Sequence, residues 1–513
     1  MGAETKFLMQ ETTMIQPIYL LWLKKWLQII FPIRKGEKQK IFLLLFLKFL
    51  ISFVYCILAA LKDTVLVTAD SSTAEVIPII KGSIIFPISI GVVLLYTKLN
   101  NCLKQSTLFY GTILFFLVLI LLYGFLLYPY ANKVSPYAMA DWFTRYTDGK
   151  YLHWITAFRH WIHVLFFVVA ELWGQVALML LYWSFVNHVC KIQDAKRFYA
   201  ILIAAGDVAL IISGPLVLAY TKKYSDSDFV YTVQVLIKYI GCSCVAILLT
   251  YWFTNRMVKP ALINVGRNAP FFPQKLHLSL WKSLKHVAAS PYLGNIAVMV
   301  IACGLSINIV EGTWKSYLKE VFPRAVDYQT FISKLNFWTG IIALLLSLFF
   351  SGGILRKFGW RRTARIVPVM IGIMGSLFFL MSYTKNYAPC LTNWIGSKLV
   401  LYIVIFGGIH NIIAKSIKYA FFDKTTQMAY IPLDPEAKVK GKAAVDLLGS
   451  RLGKAGSSWI QIGLLELLHT SSMQPLSGIL LVFLLITTIM WYRAAGNIDQ
   501  QFHKLEAESA KNS

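Results

Sequence analysis

KIFLLLFLKFLISFVYCILAALKDTVLV, residues 40–67, is an apolar run whose only charges after Lys40 are Lys48, Lys62 and Asp63. A hydrocarbon core of roughly 30 Å is crossed by about 20 helical residues, so residues 41–67 suffice for one passage. Runs of the same kind follow near 76–97, 107–129, 160–189, 199–220, 231–254, 293–314, 329–352, 363–384, 394–421, 443–468 and 475–492. The chain is 57% hydrophobic and 14% charged, far below the roughly 25% charged usage of a soluble domain. These readings predict an all-α membrane protein of about twelve transmembrane helices.

Fifty Lys and Arg against 24 Asp and Glu give a net charge of +26. In a soluble chain that excess points to nucleic acid; here the bases fall in alternate loops. Lys24, Lys25, Arg34, Lys35 and Lys38 precede the first run, and Lys191, Lys196 and Arg197 follow the fourth. Arg256, Lys259 and Arg267 follow the sixth, and Arg356, Lys357, Arg361 and Arg362 the eighth. The positive-inside rule makes these loops and both termini cytoplasmic, and the bilayer the partner rather than nucleic acid. The loop 68–75 carries Asp70 and Glu75 and no base, whereas 130–158, with Lys133, Arg145 and Lys150, weakens the alternation. Residues 1–40 show no small-residue cleavage pattern, so the first run is expected to stay in the mature chain. Seven scattered cysteines suggest no disulfide framework, and no metal or cofactor is expected.

Two six-helix halves are predicted, 41–254 and 290–494, joined by a basic cytoplasmic linker at 255–289 and flanked by cytoplasmic segments 1–40 and 495–513. YWSFVNHVCKIQDAKRFYA (182–200) and KYAFFDKTTQMAYIPLDPEAKVKGKAA (418–444) share an aromatic helix end followed by Asp194-Ala195-Lys196 or Glu436-Ala437-Lys438. Parallel repeats of this kind are the plan of major-facilitator-type transporters, whose substrate sits between the halves near the midplane.

A charge at the centre of a membrane helix costs about 2.5–3.5 kcal/mol, so each one there needs a partner, a water-filled cavity or a substrate. Lys48, Tyr55 and Lys62 recur every seven residues and share one face. Similar stripes are His160, Glu171, Gln175 and Tyr182; Asn308, Glu311, Lys315 and Lys319; Asn411, Lys415, Lys418 and Phe422; and Lys442, Asp446, Gly449 and Gly453, with Arg451 and Lys454 beside the last. Lysines outnumber carboxylates on these faces, and the missing partner is an anion. A polyphosphate fits, with Tyr55, Tyr182 or Phe422 to stack a base. Against this stand plainer readings. Lys48 lies near a helix end and is expected to snorkel, Lys319 and Lys424 to be solvated, and Glu171 to pair with Arg159 as readily as with substrate. His160 and His410 read as packing groups, and Gly449 with Gly453 as a close-packing pair. GSRLGKAG (449–456) is no phosphate loop, having three residues between its glycines and Ala455 after Lys454. No clustered nucleophile, acid–base pair or ring of pore residues supports a membrane enzyme or a channel.

At LKDTVLV (61–67), AEVIPIIKGSIIFP (74–87), AELWGQVALMLLYWSF (170–185), SINIVEGTWKSYLKEVFP (306–323), MAYIPLD (428–434) and KGKAA (440–444) the sequence resembles the ATP/ADP translocase family of plastids and obligate intracellular bacteria. The resemblance implies a nucleotide transporter, with ATP exchanged for ADP as the leading expectation and proton-coupled import of nucleoside triphosphates or exchange of other nucleotides the alternative. It implies that Lys62, Glu171, Glu311 and Lys442 matter to transport. With the stripes, the expected substrate-binding set is Lys62, Glu171, Glu311, Lys315, Asn411, Lys415, Lys418, Lys442 and Asp446. Asp207 stands where the family commonly has Asn and is, with Glu171 and Glu311, a candidate proton carrier. Gly312 after Glu311, and GKAGSS (453–458), also depart from the family pattern. A monomer in a bacterial inner membrane is expected, with the plastid envelope as the alternative, and phosphate and protons are candidate further cargo.

Overall fold

The computed structural model describes residues 38–149, 151–189, 192–225, 228–263, 287, 289–387, 398–430, 432–433, 445 and 449–511, with backbone alone at 188, 192–200, 258–263, 386–387 and 502–511. Among the described residues there is helix and no strand, as lipid demands of a chain that must satisfy its backbone groups internally. Ten helical stretches are long and apolar enough to cross a membrane: α1 Lys38–Val67, α2 Val76–Cys102, α3 Gln105–Leu127, α4 Trp161–Asn187, α5 Ile201–Lys223, α6 Phe229–Met257, α7 Pro291–Val321, Ala325–Lys385, α10 Lys398–Ala429 and α12 Gln474–Gln501. Ala325–Lys385 is 61 residues, about twice one crossing. It breaks at Gly359, whose φ of 73° and ψ of 175° belong to a region open to glycine alone, giving α8 (325–358) and α9 (360–385). The turn sits inside the basic stretch Arg356–Arg362, as the loop assignment expects. A further helix, α11 Ser450–Leu467, is amphipathic and lies inside the bundle. Among the described residues these make twelve.

Local chemistry sets the helix ends. Ser290 caps α7 by accepting the Leu293 N–H at 3.4 Å, and Pro291 follows at the first helical position. The basic loop 130–158 is itself folded into helices Tyr137–Tyr146 and Leu152–Arg159, where Arg159 pairs with Asp141 and not with Glu171. Trp142, Tyr146 and Trp154 are exposed there, as aromatic side chains are at a headgroup boundary.

Packing repeats with an offset of six helices. α1 packs on α4, α5 and α6; α7 packs on α10, α11 and α12. Between the halves, α5 lies along α8 and α2 along α11. The α5–α8 seam is close: a Cβ at Gly340 would stand 2.9 Å from the Asp207 carbonyl oxygen, and one at Gly214 2.9 Å from that of Ser333. A π-helical segment interrupts α4 at Gly174–Leu181 and α10 at Lys418–Phe422, thirteen residues before Asp194 and fourteen before Glu436. The sequence repeat is therefore matched by a repeated irregularity.

The two hydrophobic cores follow the halves with one exception. Leu66, Val67, Ala74, Val76, Ile77, Ile80, Phe167 and Val168, from neighbouring ends of α1, α2 and α4, belong to the core of the second half. That end, away from the basic loops, is also latched by polar contacts. Glu75 Oε1 accepts the Ser316 hydroxyl at 2.7 Å and the Met473 N–H at 3.1 Å, joining the start of α2 to the end of α7 and to the residue preceding α12.

Gly453 meets the expectation of close packing and Gly449 does not. A Cβ at Gly453 would lie 2.5 Å from the Ile301 carbonyl oxygen, whereas one at Gly449 meets only ordinary contacts at 3.6 Å. Gly453→Ala should therefore cost about 1–3 kcal/mol and lower the melting temperature in detergent, while Gly449→Ala leaves it unchanged; equal melting of the two would remove the α7–α11 contact as the cause. The latch is testable with Met473→Cys in a background lacking the seven native cysteines, because its side chain is fully buried and the backbone donor survives the change. A membrane-impermeant maleimide should label it slowly, and several-fold faster when Glu75→Ala is added; equal rates would mean the carboxylate does not hold that end shut.

Candidate functional site

Where the halves face each other, side chains from five helices form one continuous line of alternating charge. On α4, Glu171 faces Arg451 Nη1 at 3.7 Å and Lys454 Nζ at 3.9 Å, both from α11, through Oε2, and Lys62 Nζ of α1 at 3.3 Å through Oε1. Lys62 also binds Asp63 Oδ1 at 2.8 Å, and Asp63 Oδ2 takes Lys315 of α7 at 2.8 Å. Lys315 reaches Glu311 Oε1 at 3.1 Å, and the same oxygen meets Lys415 of α10 at 3.5 Å. The line crosses between the halves twice, at Glu171 with α11 and at Asp63 with Lys315. Beside it Lys81 of α2 donates to Asn308 Oδ1 on α7 at 3.0 Å, a third crossing, and the Lys62 ammonium sits 3.8 Å from the centre of the Phe167 ring.

The helical spacing brings Lys62, Glu171, Glu311, Lys315 and Lys415 together as expected. Lys418 stands apart, bound to Asp423 at 3.3 Å inside the π segment of α10. Asn411 is buried and spends its amide N–H on the Gly407 carbonyl of its own helix. Lys442 and Asp446 lie outside the described residues. Asp207 is buried on α5, its Oδ2 without a hydrogen-bond partner among the described residues; Lys48, Lys424 and the acid Asp423 are its electrostatic neighbours.

Several plainer readings fail. Lys48 does not snorkel: it is buried, 5.0 Å from the Tyr182 ring centre and 5.5 Å from that of Trp183, because α1 turns this whole stripe inward. Lys424 is no loop charge but bonds Ser351 Oγ at 2.6 Å and the Ser347 carbonyl at 3.0 Å on α8. Of the aromatic residues expected to stack a base, Tyr182 is core, its hydroxyl on the Leu44 carbonyl, and Phe422 is core against Trp491. Tyr55 alone stays half-buried, its ring filling the space over Gly174. At Gly312, a departure from the family pattern, a Cβ would stand 2.5 Å from Gln461 Oε1, the end of that side chain's amide.

Sequence reasoning missed Asp63, Lys81 and Gln461. Asp63 follows Lys62 directly, and Lys81 is an isolated base in an apolar run; both signals were available. Gln461, which donates to the Asn308 carbonyl at 3.2 Å, gave none.

Accessibility grades along the bundle. The side chains of Lys315 and Lys62 are 3% and 5% exposed, those of Lys415, Lys418 and Lys454 29%, 33% and 38%. The charged line is thus open toward the basic end and sealed toward the other. Lys81, Ile85, Phe86, Glu171, Arg451 and Lys454 line a small cavity between α2, α4 and α11. No group of His, Cys, Asp and Glu among the described residues is arranged to hold a metal. What the arrangement offers is cationic side chains in excess over carboxylates, poised for an anion.

Residues 21–502 match the family described as TLC ATP/ADP transporter. The chain is 37% identical over 494 residues to ADP,ATP carrier protein 1 of Chlamydia muridarum, covering 94% of this chain and 92% of that one. It is 33% identical to ADP,ATP carrier protein 1 of Rickettsia prowazekii (96% and 98% covered) and 35% identical to the chloroplastic ADP,ATP carrier protein 1 of Arabidopsis thaliana (93% and 76%). In fold it resembles a bacterial homologue of the iron transporter ferroportin, with a TM-score of 0.56 at 13% identity over 89% of this chain and 98% of that one. A D-xylose-proton symporter gives 0.54 at 13%, covering 89% and 96%. Twelve helices in two packed halves, a charged line between them and these matches lead to one conclusion: this multi-pass membrane protein belongs to the TLC ATP/ADP transporter family.

Proposed function

We propose that the chain exchanges nucleotides, ATP for ADP as in the names of its relatives, by alternating access, and that the charged line is where they bind. One observation carries this reading: cations from both halves share too few carboxylates across the interface about which the halves would rock. Phosphate oxygens take the place of carboxylate oxygens, so a bound nucleotide loosens clasps such as Asp63–Lys315 that otherwise hold the halves together. An empty carrier keeps those clasps, which disfavours its return unloaded and favours exchange. Lys62, Glu171, Glu311, Lys315 and Lys415 form this site, with Lys442 and Asp446 added from the family resemblance; Asn411 and Lys418 serve as flanking groups. The linker and both termini are assigned to the cytoplasm of a bacterial inner membrane, so the conformation described opens inward. The transporter acts as a monomer.

Proton-coupled import is the second reading, and Asp207 favours it, being a buried carboxylate with an oxygen unpartnered among the described residues. An acid in a membrane span is either neutral, paired or exposed to a cavity, and a proton carrier must alternate between such states. Exchange is preferred because the electrostatic neighbours of Asp207, Lys48, Lys424 and Asp423, are not members of the charged line. Phosphate as a further cargo fits the same cations.

In proteoliposomes, labelled ATP should accumulate intact only when ADP is loaded inside, and a protonophore should have no effect. Uptake into empty vesicles driven by an imposed pH gradient, and abolished in Asp207→Asn, would establish proton coupling instead. A chemically altered product would indicate an enzyme. Lys62→Ala and Lys442→Ala, checked for correct insertion, should each lower exchange by about tenfold or more, since a charge-assisted hydrogen bond contributes about 1.5–3 kcal/mol; wild-type exchange in either would remove that lysine from the site.

A further inference from the structure

Resting on the nucleotide reading, we propose that Lys81, Arg451 and Lys454 form the seat for the outermost phosphates of the substrate, and that Glu171 is the built-in counter-ion that occupies it between transport events.

The cations of the charged cluster are not equally neutralised. Lys62, Lys81, Lys315, Lys415, Arg451 and Lys454 are six; Asp63, Glu171 and Glu311 are three. Among the described residues the excess is three unit charges. Lys62 and Lys315 are well served, each 2.8 Å from an oxygen of Asp63, within the 2.7–2.9 Å of a charge-assisted hydrogen bond. Arg451 and Lys454 are not: at 3.7 and 3.9 Å from the same Glu171 oxygen they are near it without a good bond. Lys81 meets no carboxylate within ion-pair distance among the described residues, and its hydrogen-bond partner is the neutral amide of Asn308. Lys415, 3.5 Å from Glu311, stands between the two groups; the least neutralised charges are therefore Lys81, Arg451 and Lys454, and they line one cavity together with Glu171.

A phosphate supplies what this cavity lacks. It brings about −1.5 to −2 charges and three strong acceptor oxygens, one for each of the three cations, and an arginine presents a planar fork that suits it. Glu171 faces into the same cavity and holds two of its three cations, so seating a phosphate on them requires the carboxylate to give way. Glu171 has an alternative in Lys62 at 3.3 Å. Because Lys81 comes from α2 and Arg451 and Lys454 from α11, an occupied seat bridges the halves, and a short ligand that fails to reach it leaves them unbridged. Phe86, in the wall of the seat, is packed edge-on against Trp459 at 5.2 Å, and the Trp459 indole donates to the Gly82 carbonyl at 3.3 Å. Lys454, 38% exposed against 15% for Arg451, marks the way in.

The test is equilibrium binding of labelled ATP, ADP and AMP to detergent-purified protein. Lys81→Gln, Arg451→Gln and Lys454→Gln should each weaken ATP by about tenfold or more, ADP by less and AMP least, and Lys81→Arg should keep near wild-type affinity. Glu171→Gln should bind ATP more tightly than wild type, since the internal competitor is gone, and yet exchange poorly. Equal losses for ATP and AMP would make the three residues structural and overturn the seat, as would unaltered ATP binding in all three variants. Lys454→Gln, at the exposed edge, decides the matter where a buried variant does not yield folded protein. Wild-type protein that binds none of the nucleotides would end both this proposal and the exchange reading; wild-type binding with insensitive variants would end the seat alone.

Discussion

Everything in this structure depends on the cost of keeping cations where lipid excludes water. Buried lysines and arginines draw negative charge to themselves, and among the described residues three carboxylates serve five of the six clustered bases by being shared, Lys81 resting on the Asn308 amide. Sharing imposes geometry. Glu171 must be within reach of α1 and α11 at once, and Asp63 of its neighbour Lys62 and of Lys315 on α7, so the carboxylates fix the distance between the halves as firmly as the apolar packing does. Removing one partner of such a line strands another charge, which costs far more than the lost contact itself.

The backbone is adapted to the same end. Lys81 and Lys418 both sit in π-helical segments, and the segment of α4 begins three residues after Glu171. An extra residue in a turn rotates the later part of a helix relative to the earlier part, and such segments recur at functional sites. They also upset the regular stripes from which sequence periodicity reads a face. This explains why Lys418, placed by spacing on the face of Lys415, is found with Asp423 instead.

Eleven of the helices were legible because length and apolarity suffice to define them, including the two that turn at Gly359 within the basic stretch; α11 is amphipathic and falls short of that measure. The inward stripe Lys48–Tyr55–Lys62 was legible from its seven-residue period. What periodicity could not supply was depth and partnership. Lys48 looked terminal by position yet is buried under Tyr182 and Trp183, and Arg159 looked like a mate for Glu171 yet folds back onto Asp141 in its own loop. Asp63 was overlooked because an acid beside a lysine reads as a local neutral pair, whereas its second oxygen is spent on the other half of the molecule. Gln461 has no sequence signature at all, since its role arises from the space left by Gly312.

The α5–α8 seam has a further meaning. At Gly214 and Gly340 the two helices meet with backbone against side chain and backbone, and no side chain of the glycines lies between them to change rotamer or to yield. A joint without compliant parts does not slide; it can only turn, like a knife-edge under a balance beam. In the rocking proposed above, α2 and α11, which meet each other across the halves and not at this seam, would be carried around it, and it is there that the least neutralised charges are found. Small changes of charge there are in this way given a lever.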